Sequence, residues 1–151
     1  LPTRQMPEKP IAIASDHAGF DLKVVLKEEL QNMGFEVLDL GTKNKESVDY
    51  PDFADALAKA FQKGNAERGV LVCGSGLGIS MAANRHPQLR AAPCYDANWA
   101  RLARQHNDAN VLALGARLIE VDAAKACLKT FLETPFEGGR HVPRVQKLSE
   151  R

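Results

Sequence analysis

The stretch "GVLVCGSGLGISMAANR", residues 69–85, decides the fold. Gly69 through Val72 lead into Cys73, glycines follow at 74, 76 and 78, and small residues then continue as a helix. A run apolar on both faces is what a strand covered by helices on each side requires. The segment therefore reads as a buried parallel strand, a tight loop and a helix.

Outward from it the same alternation repeats. "IAIAS" (11–15) is a strand, and Phe20 to Met33 place Leu22, Val25, Leu26, Leu30 and Met33 on one helical face. "FEVLDLG" (35–41) is a second strand; Pro51 then opens a helix on which Phe53, Leu57 and Phe61 recur every four residues until Gly64 stops it. Towards the C-terminus follow "LRAAPC" (89–94), a helix through Trp99, Leu102 and Ala103, "NVLALG" (110–115), and a helix with Ala124, Leu128, Phe131 and Leu132. Five strands alternating with five helices predict a three-layer α/β/α, Rossmann-like fold with a five-stranded parallel sheet. Ligands of such sheets bind at the carboxyl ends of the strands, at a topological switch point, which selects the loops after residues 15, 41, 73, 95 and 115. Pro93, inside the fourth strand, removes a ladder donor, so its N–H position is expected to be unpaired.

A chain of 151 residues makes one domain with a core of its own. We place that domain at 10–134, with residues 1–9 as a frayed extension or expression remnant. Residues 135–151 form a tail too polar and glycine-interrupted for a core strand. A formal net charge of +1 gives no electrostatic ground for nucleic acid or anionic membrane as a partner, so any anion site must be local. Three widely spaced cysteines, Cys73, Cys94 and Cys127, fit reduced thiols in cytoplasm rather than zinc or a redox dithiol. No apolar run approaches the ~20 residues of a membrane span, and the N-terminal residues lack a signal peptide's apolar block.

The glycine loop matches neither the dinucleotide fingerprint nor the phosphate loop, and Ile79 stands where a cysteine phosphatase would carry arginine. What remains is a set of N–H groups at a helix start, able to cradle negative charge and to favour a thiolate at Cys73. The plainer reading of Cys73 is a small buried hydrophobe ending a strand. In "SDHAGF" (15–20), Asp16 and His17 project from the first strand's carboxyl end, or else Asp16 caps the next helix and His17 is solvated. "RQHNDANVLALGAR" (104–117) holds His106, Asn107, Asp108 and Asn110 in one turn, and Arg117 just after the fifth strand. Arg140 and Arg144, four apart behind two glycines, make a phosphate clamp or a solvated surface pair. These polar residues are expected together at one edge of the sheet, beside the thiol and the anion cradle.

With "DYPDFA" and "EGGRHVPRV", the quoted stretches resemble, in order and separation, the RpiB/LacAB sugar-phosphate isomerase family over residues 11 to about 148. The resemblance implies an aldose–ketose isomerase of the pentose phosphate pathway, free of metal and cofactor, interconverting ribose 5-phosphate and ribulose 5-phosphate through a cis-enediolate. It assigns the base to Cys73 and ring opening to His106, with Asp16 and Ser75 nearby. It also implies an oxyanion hole from the amides of Gly74 through Ser80, Gly76 and Gly78 among them, with Asn107. His17, Arg117, Arg140 and Arg144 take the phosphate, and Tyr50 lines the sugar site. A cytoplasmic homodimer, or a tetramer built from it, is implied, with His106 and Asn107 contributed across the interface and the tail ordered against its partner. Some relatives use a glutamate where Ile79 stands, so Cys73 indicates the cysteine branch; Ser75 replaces a common threonine and keeps the hydroxyl. The alternatives are an isomerase of a phosphorylated hexose (galactose 6-phosphate or allose 6-phosphate), a non-catalytic sugar-phosphate sensor, and a phosphocysteine carrier.

Overall fold

The computed structural model describes residues 9–150, so the expectation for residues 1–8 lies outside the described residues. The chain runs β1 (Ile11–Ser15), α1 (Phe20–Asn32), β2 (Val37–Asp39), α2 (Tyr50–Gln62), β3 (Arg68–Cys73) and α3 (Leu77–Ala83). It continues with β4 (Ala91–Pro93), α4 (Ala97–Asn107), β5 (Val111–Gly115), α5 (Val121–Glu133), a 3-10 turn (Gly139–His141) and α6 (Val142–Ser149). All strand pairs are parallel, in the order β2-β1-β3-β5-β4. The expected α/β/α fold and five-stranded parallel sheet are present.

Alternation of side chains along the strands builds the two faces. Ile11, Ile13, Val70, Val72, Leu112 and Leu114 pack one way, against α1, α4 and α5. Ala12, Ala14, Leu71, Cys73, Val111 and Ala113 pack the other way, against α2 and α3. Strands buried on both sides carry no polar face, which is why β1, β3 and β5 read as continuous apolar runs. Each contributes a row of side chains to both cores.

Three details differ from the sequence reading. The tail, read only as too polar for a core strand, forms α6 after the turn at Gly138, with Pro143 in its first turn and no buried residue. On α4 the buried residues are Ala100 and Ala103, while Trp99 and Leu102 are exposed. On α1 the buried face includes Lys23. Pro93 lies on β4, an edge strand paired only with β5, so its missing N–H breaks no ladder bond.

The chain leaves β1 for β2 on one side and returns to β3 on the other. The switch point therefore lies between the carboxyl ends of β1 and β3. Ser15 and Val72 are in register there, and Cys73 is the next residue.

Candidate active site

Ser15 ends β1, so Asp16 and His17 fall directly over the switch point. Asp16, 6% exposed, accepts the Gly19 N–H on Oδ1 at 3.1 Å and donates its own N–H to the Val72 carbonyl at 3.2 Å. The Asp16 side chain thus braces the turn before α1 while bordering the cleft. His17 Nδ1 accepts the Val48 N–H at 3.2 Å. A ring nitrogen that accepts carries no proton, so in the neutral ring Nε2 is the donor.

Cys73 ends β3, 4% exposed, and its sulfur accepts the Gly76 N–H at 3.2 Å. The Ser75 hydroxyl accepts the Leu77 N–H at 3.2 Å, and the Ser75 carbonyl accepts the Tyr95 hydroxyl at 3.1 Å. The loop after β5 is stitched to the same place: Ala116 N–H donates to the Cys73 carbonyl at 2.9 Å and Arg117 N–H to that of Gly74 at 3.0 Å. This closeness requires glycine at 115, where an added Cβ would lie 2.4 Å from the Ser75 carbonyl oxygen. Tyr50, the first residue of α2, closes the opposite wall against Gly78.

Asp16, His17, Tyr50, Cys73, Gly74, Ser75, Gly78 and Arg117 together line a cleft of about 470 Å³, with Gly76 buried in the turn beneath. Phosphate-binding and acid–base residue types surround one thiol there. This arrangement can bind a small anion and move a proton at an adjacent carbon.

His106, Asn107, Arg140 and Arg144 are elsewhere in the same chain. The helix α4 starts at the carboxyl side of the sheet and runs back, so His106 and Asn107 precede β5 at its amino end. The four steps of β5 separate that end from the Cys73 level by roughly 13 Å along the strand. The expectation of one common edge within one chain is corrected accordingly: a turn that precedes a parallel strand opens on the end away from the switch point. Asn107 borders a different cavity, of about 510 Å³, with Arg90, Ala109 and Leu148. Arg140 and Arg144 are exposed, and neither has a carboxylate partner among the described residues.

Sequence reading missed His141 and Glu137. His141 is 6% exposed and stacks on His106, ring centroids 4.5 Å apart at 16°. Burial, followed by the charges of Arg140 and His106, pushes the His141 imidazole below its usual pKa, against an opposing pull from Glu137. The histidine in "GGRHVPRV" is the sequence trace of this pair, overshadowed by the two arginines around it.

An open parallel sheet with a thiol and an amide-rich turn at its switch point defines an α/β protein built to handle a small polar metabolite. The family model described as Ribose/Galactose Isomerase matches residues 11–148. The chain belongs to that family and is a sugar-phosphate isomerase. It is 43% identical over 141 residues to ribose-5-phosphate isomerase B of Escherichia coli, covering 93% of this chain and 95% of that protein. It is 42% identical over 139 residues to D-erythrulose-4-phosphate isomerase of Pectobacterium atrosepticum, covering 91% of each. A solved ribose 5-phosphate isomerase structure from Thermotoga maritima superposes with a TM-score of 0.92 at 50% identity, over 95% of this chain and 99% of that one. Among the described residues no helix is long and apolar enough to cross a membrane.

Proposed function

We propose that the chain interconverts ribose 5-phosphate and ribulose 5-phosphate, with Cys73 as the base. The observation that carries this reading is the Cys73 sulfur at the switch point, holding the Gly76 N–H and bordered by Asp16, His17, Ser75 and Arg117. The thiolate is the form of a cysteine that accepts a proton. The thiolate takes the C2 proton of the open-chain aldose while the C1 carbonyl oxygen receives the electron pair, giving a cis-enediolate. Return of the proton to C1, with the C2 hydroxyl proton passing to O1, gives the ketose with its C1 hydroxyl and C2 carbonyl. The charge that develops on the enediolate oxygens is met by backbone N–H groups of the loop from Gly74 to Ser80 other than those of Gly76 and Leu77, which hold the Cys73 sulfur and the Ser75 hydroxyl. The His17 Nε2–H and the Arg117 guanidinium are donors for the phosphate.

A second copy of the chain completes the site. His106, which opens the furanose, and Asn107, Arg140 and Arg144 stand at the far end of the sheet from Cys73, so one chain cannot bring them to one sugar. A homodimer does so when the amino end of one sheet faces the cleft of the other, and the exposed Trp99 and Leu102 of α4 supply apolar surface for that contact. The role of Cys73 needs a free thiol, in keeping with a cytoplasmic enzyme of the pentose phosphate pathway.

The test is isomerisation of ribose 5-phosphate in deuterated buffer with a chelator present. The wild-type chain should place solvent deuterium at the transferred position, and Cys73→Ala should lower kcat by about 10²–10⁴, the range for loss of a general base. An unchanged rate in Cys73→Ala removes the base assignment. Faster turnover of a six-carbon than of a five-carbon sugar phosphate reassigns the substrate.

A further inference from the structure

The tail returns to α4 through defined bonds. The Arg104 Nε–H donates to the Thr134 carbonyl at 3.0 Å, and the Glu137 N–H donates to the Gln105 carbonyl at 3.1 Å. Two consecutive left-handed glycines, Gly138 at φ 71° and Gly139 at φ 59°, then fold the chain back so that Glu137 and His141 face each other. Phe136 packs beside the His141 ring, with centroids 6.5 Å apart.

This turn gathers three metal-ligating side chains. Glu137 Oε1 stands 3.6 Å from His141 Nε2 and 4.0 Å from His106 Nε2, and one ligand atom from each residue lies within 4.8 Å of the others. Separately, His141 Nε2 is buried and has no hydrogen-bond partner. A buried ring nitrogen without a partner is costly, and here it points into the cluster. The ligand atoms of a tetrahedral zinc site, with Zn–N near 2.0–2.1 Å, are roughly 3.4 Å apart. The Glu137–His141 pair is already close to that spacing. The His106 side chain, 40% exposed near the end of α4, has room to close the third side.

We propose that His106, Glu137 and His141 form a binding site for a divalent transition ion of the zinc class, with its fourth position open. Two imidazoles and one carboxylate suit zinc better than magnesium or calcium, which prefer an all-oxygen shell. The guanidinium groups of Arg140 and Arg144 lie close enough to act on His141, so they oppose a cation and weaken its binding. Binding draws His106 out of its stack on His141. A consequence that rests on the ring-opening role proposed above is that the ion acts as an inhibitor.

The experiment is a titration of the full-length wild-type protein with Co²⁺ alone, read by visible absorption, and with Zn²⁺ alone, read by calorimetry. One ion per chain with the d–d bands of four-coordinate Co²⁺ and no thiolate charge-transfer band is expected, unchanged in Cys73→Ala. Glu137→Gln, an exposed and conservative change, should weaken binding at least as much as the roughly 10–100-fold that loss of an outer-shell partner costs, and His141→Gln should do likewise. A thiolate charge-transfer band, six-coordinate spectra, or equal binding by Glu137→Gln overturns the site. These readouts need no turnover, so they stand whether or not the chain acts on ribose 5-phosphate. The inhibitory consequence is read separately, as a zinc-dependent fall in wild-type rate that Glu137→Gln resists.

Discussion

Lys23 sits in the buried face of α1, 2% exposed, with its Nζ 2.7 Å from Asp39 Oδ1. Asp39 also accepts the Lys27 ammonium at 3.3 Å and the Gly41 N–H at 3.0 Å. Burial alone would raise the Asp39 carboxyl, but the hydrogen bond from Lys23, the Gly41 amide, the Lys23 charge and Lys27 together hold it below the usual carboxylate range. A carboxylate lowered in the folded state stabilises the fold fully above its unfolded pKa near ~3.9, and that contribution is lost as pH falls through the lower folded value. Lys23→Met should therefore cost about 2 kcal/mol at neutral pH, less than the 3–5 of a fully buried broken pair because Lys27 and the Gly41 amide remain. The difference should shrink between neutral pH and an acid pH below the usual carboxylate range, as Asp39 takes up its proton. Urea unfolding of both proteins at the two pH values measures it, and a gap that does not change with pH would show that Lys23 acts only by packing.

At the scale of elements, the same core holds two thiols where β4 and α5 meet. Burial pushes Cys94 up to about 12, with Cys127 and Asp96 adding to it, and Cys127 up to about 11, with Asp96 adding. A group whose pKa is raised on folding contributes nothing below its unfolded value. Between that value and the folded one the unfolded chain alone ionises, so stability falls as pH rises. From pH 8 to about pH 10.5, Cys94 alone should cost about 2 kcal/mol, a loss that Cys94→Ala escapes whatever its baseline stability. Denaturant melts at the two pH values test the slope, and parallel slopes would contradict it. Elements of this kind were legible because β1, β3 and β5 are apolar on both faces and Gly64 and Pro51 punctuate the helix between them. The tail helix α6 was not, because it is only eight residues long and its apolar positions, Val142, Val145 and Leu148, are few and none of them is buried. Lys23 was read past for the opposite reason: its burial depends on an aspartate sixteen residues away. Within the cleft, Asp16, His17, Cys73, Ser75 and Arg117 were legible from strand ends alone, whereas the His106–His141 stack depends on a tail returning to α4.

At the scale of the molecule, the placement of β5 between β3 and β4 carries the largest functional consequence. It sets Gly115 beside Cys73 and leaves His106 and Asn107 at the other end of the same strand. In the proposed homodimer, two half-sites at opposite ends of one sheet form whole sites by pairing about a two-fold, each cleft taking its His106 from the other chain. That arrangement has an arithmetic signature. Cys73→Ala and His106→Asn should each be nearly inactive on ribose 5-phosphate. In a mixed dimer of the two, one site carries both lesions and the other carries neither. Random exchange makes half of the dimers mixed, each with one of its two sites intact, so unfolding the variants together and refolding them should restore about a quarter of wild-type activity. Refolding either variant by itself should restore none. If the mixture stays as inactive as its parents while chromatography shows that exchange has occurred, Cys73 and His106 do not act across the interface. A four-carbon sugar 4-phosphate sharpens the same test: its O4 is esterified, so it cannot close a furanose. On that substrate His106→Asn should keep most of its rate, Cys73→Ala should keep almost none, and mixing should give no gain beyond the average of the two.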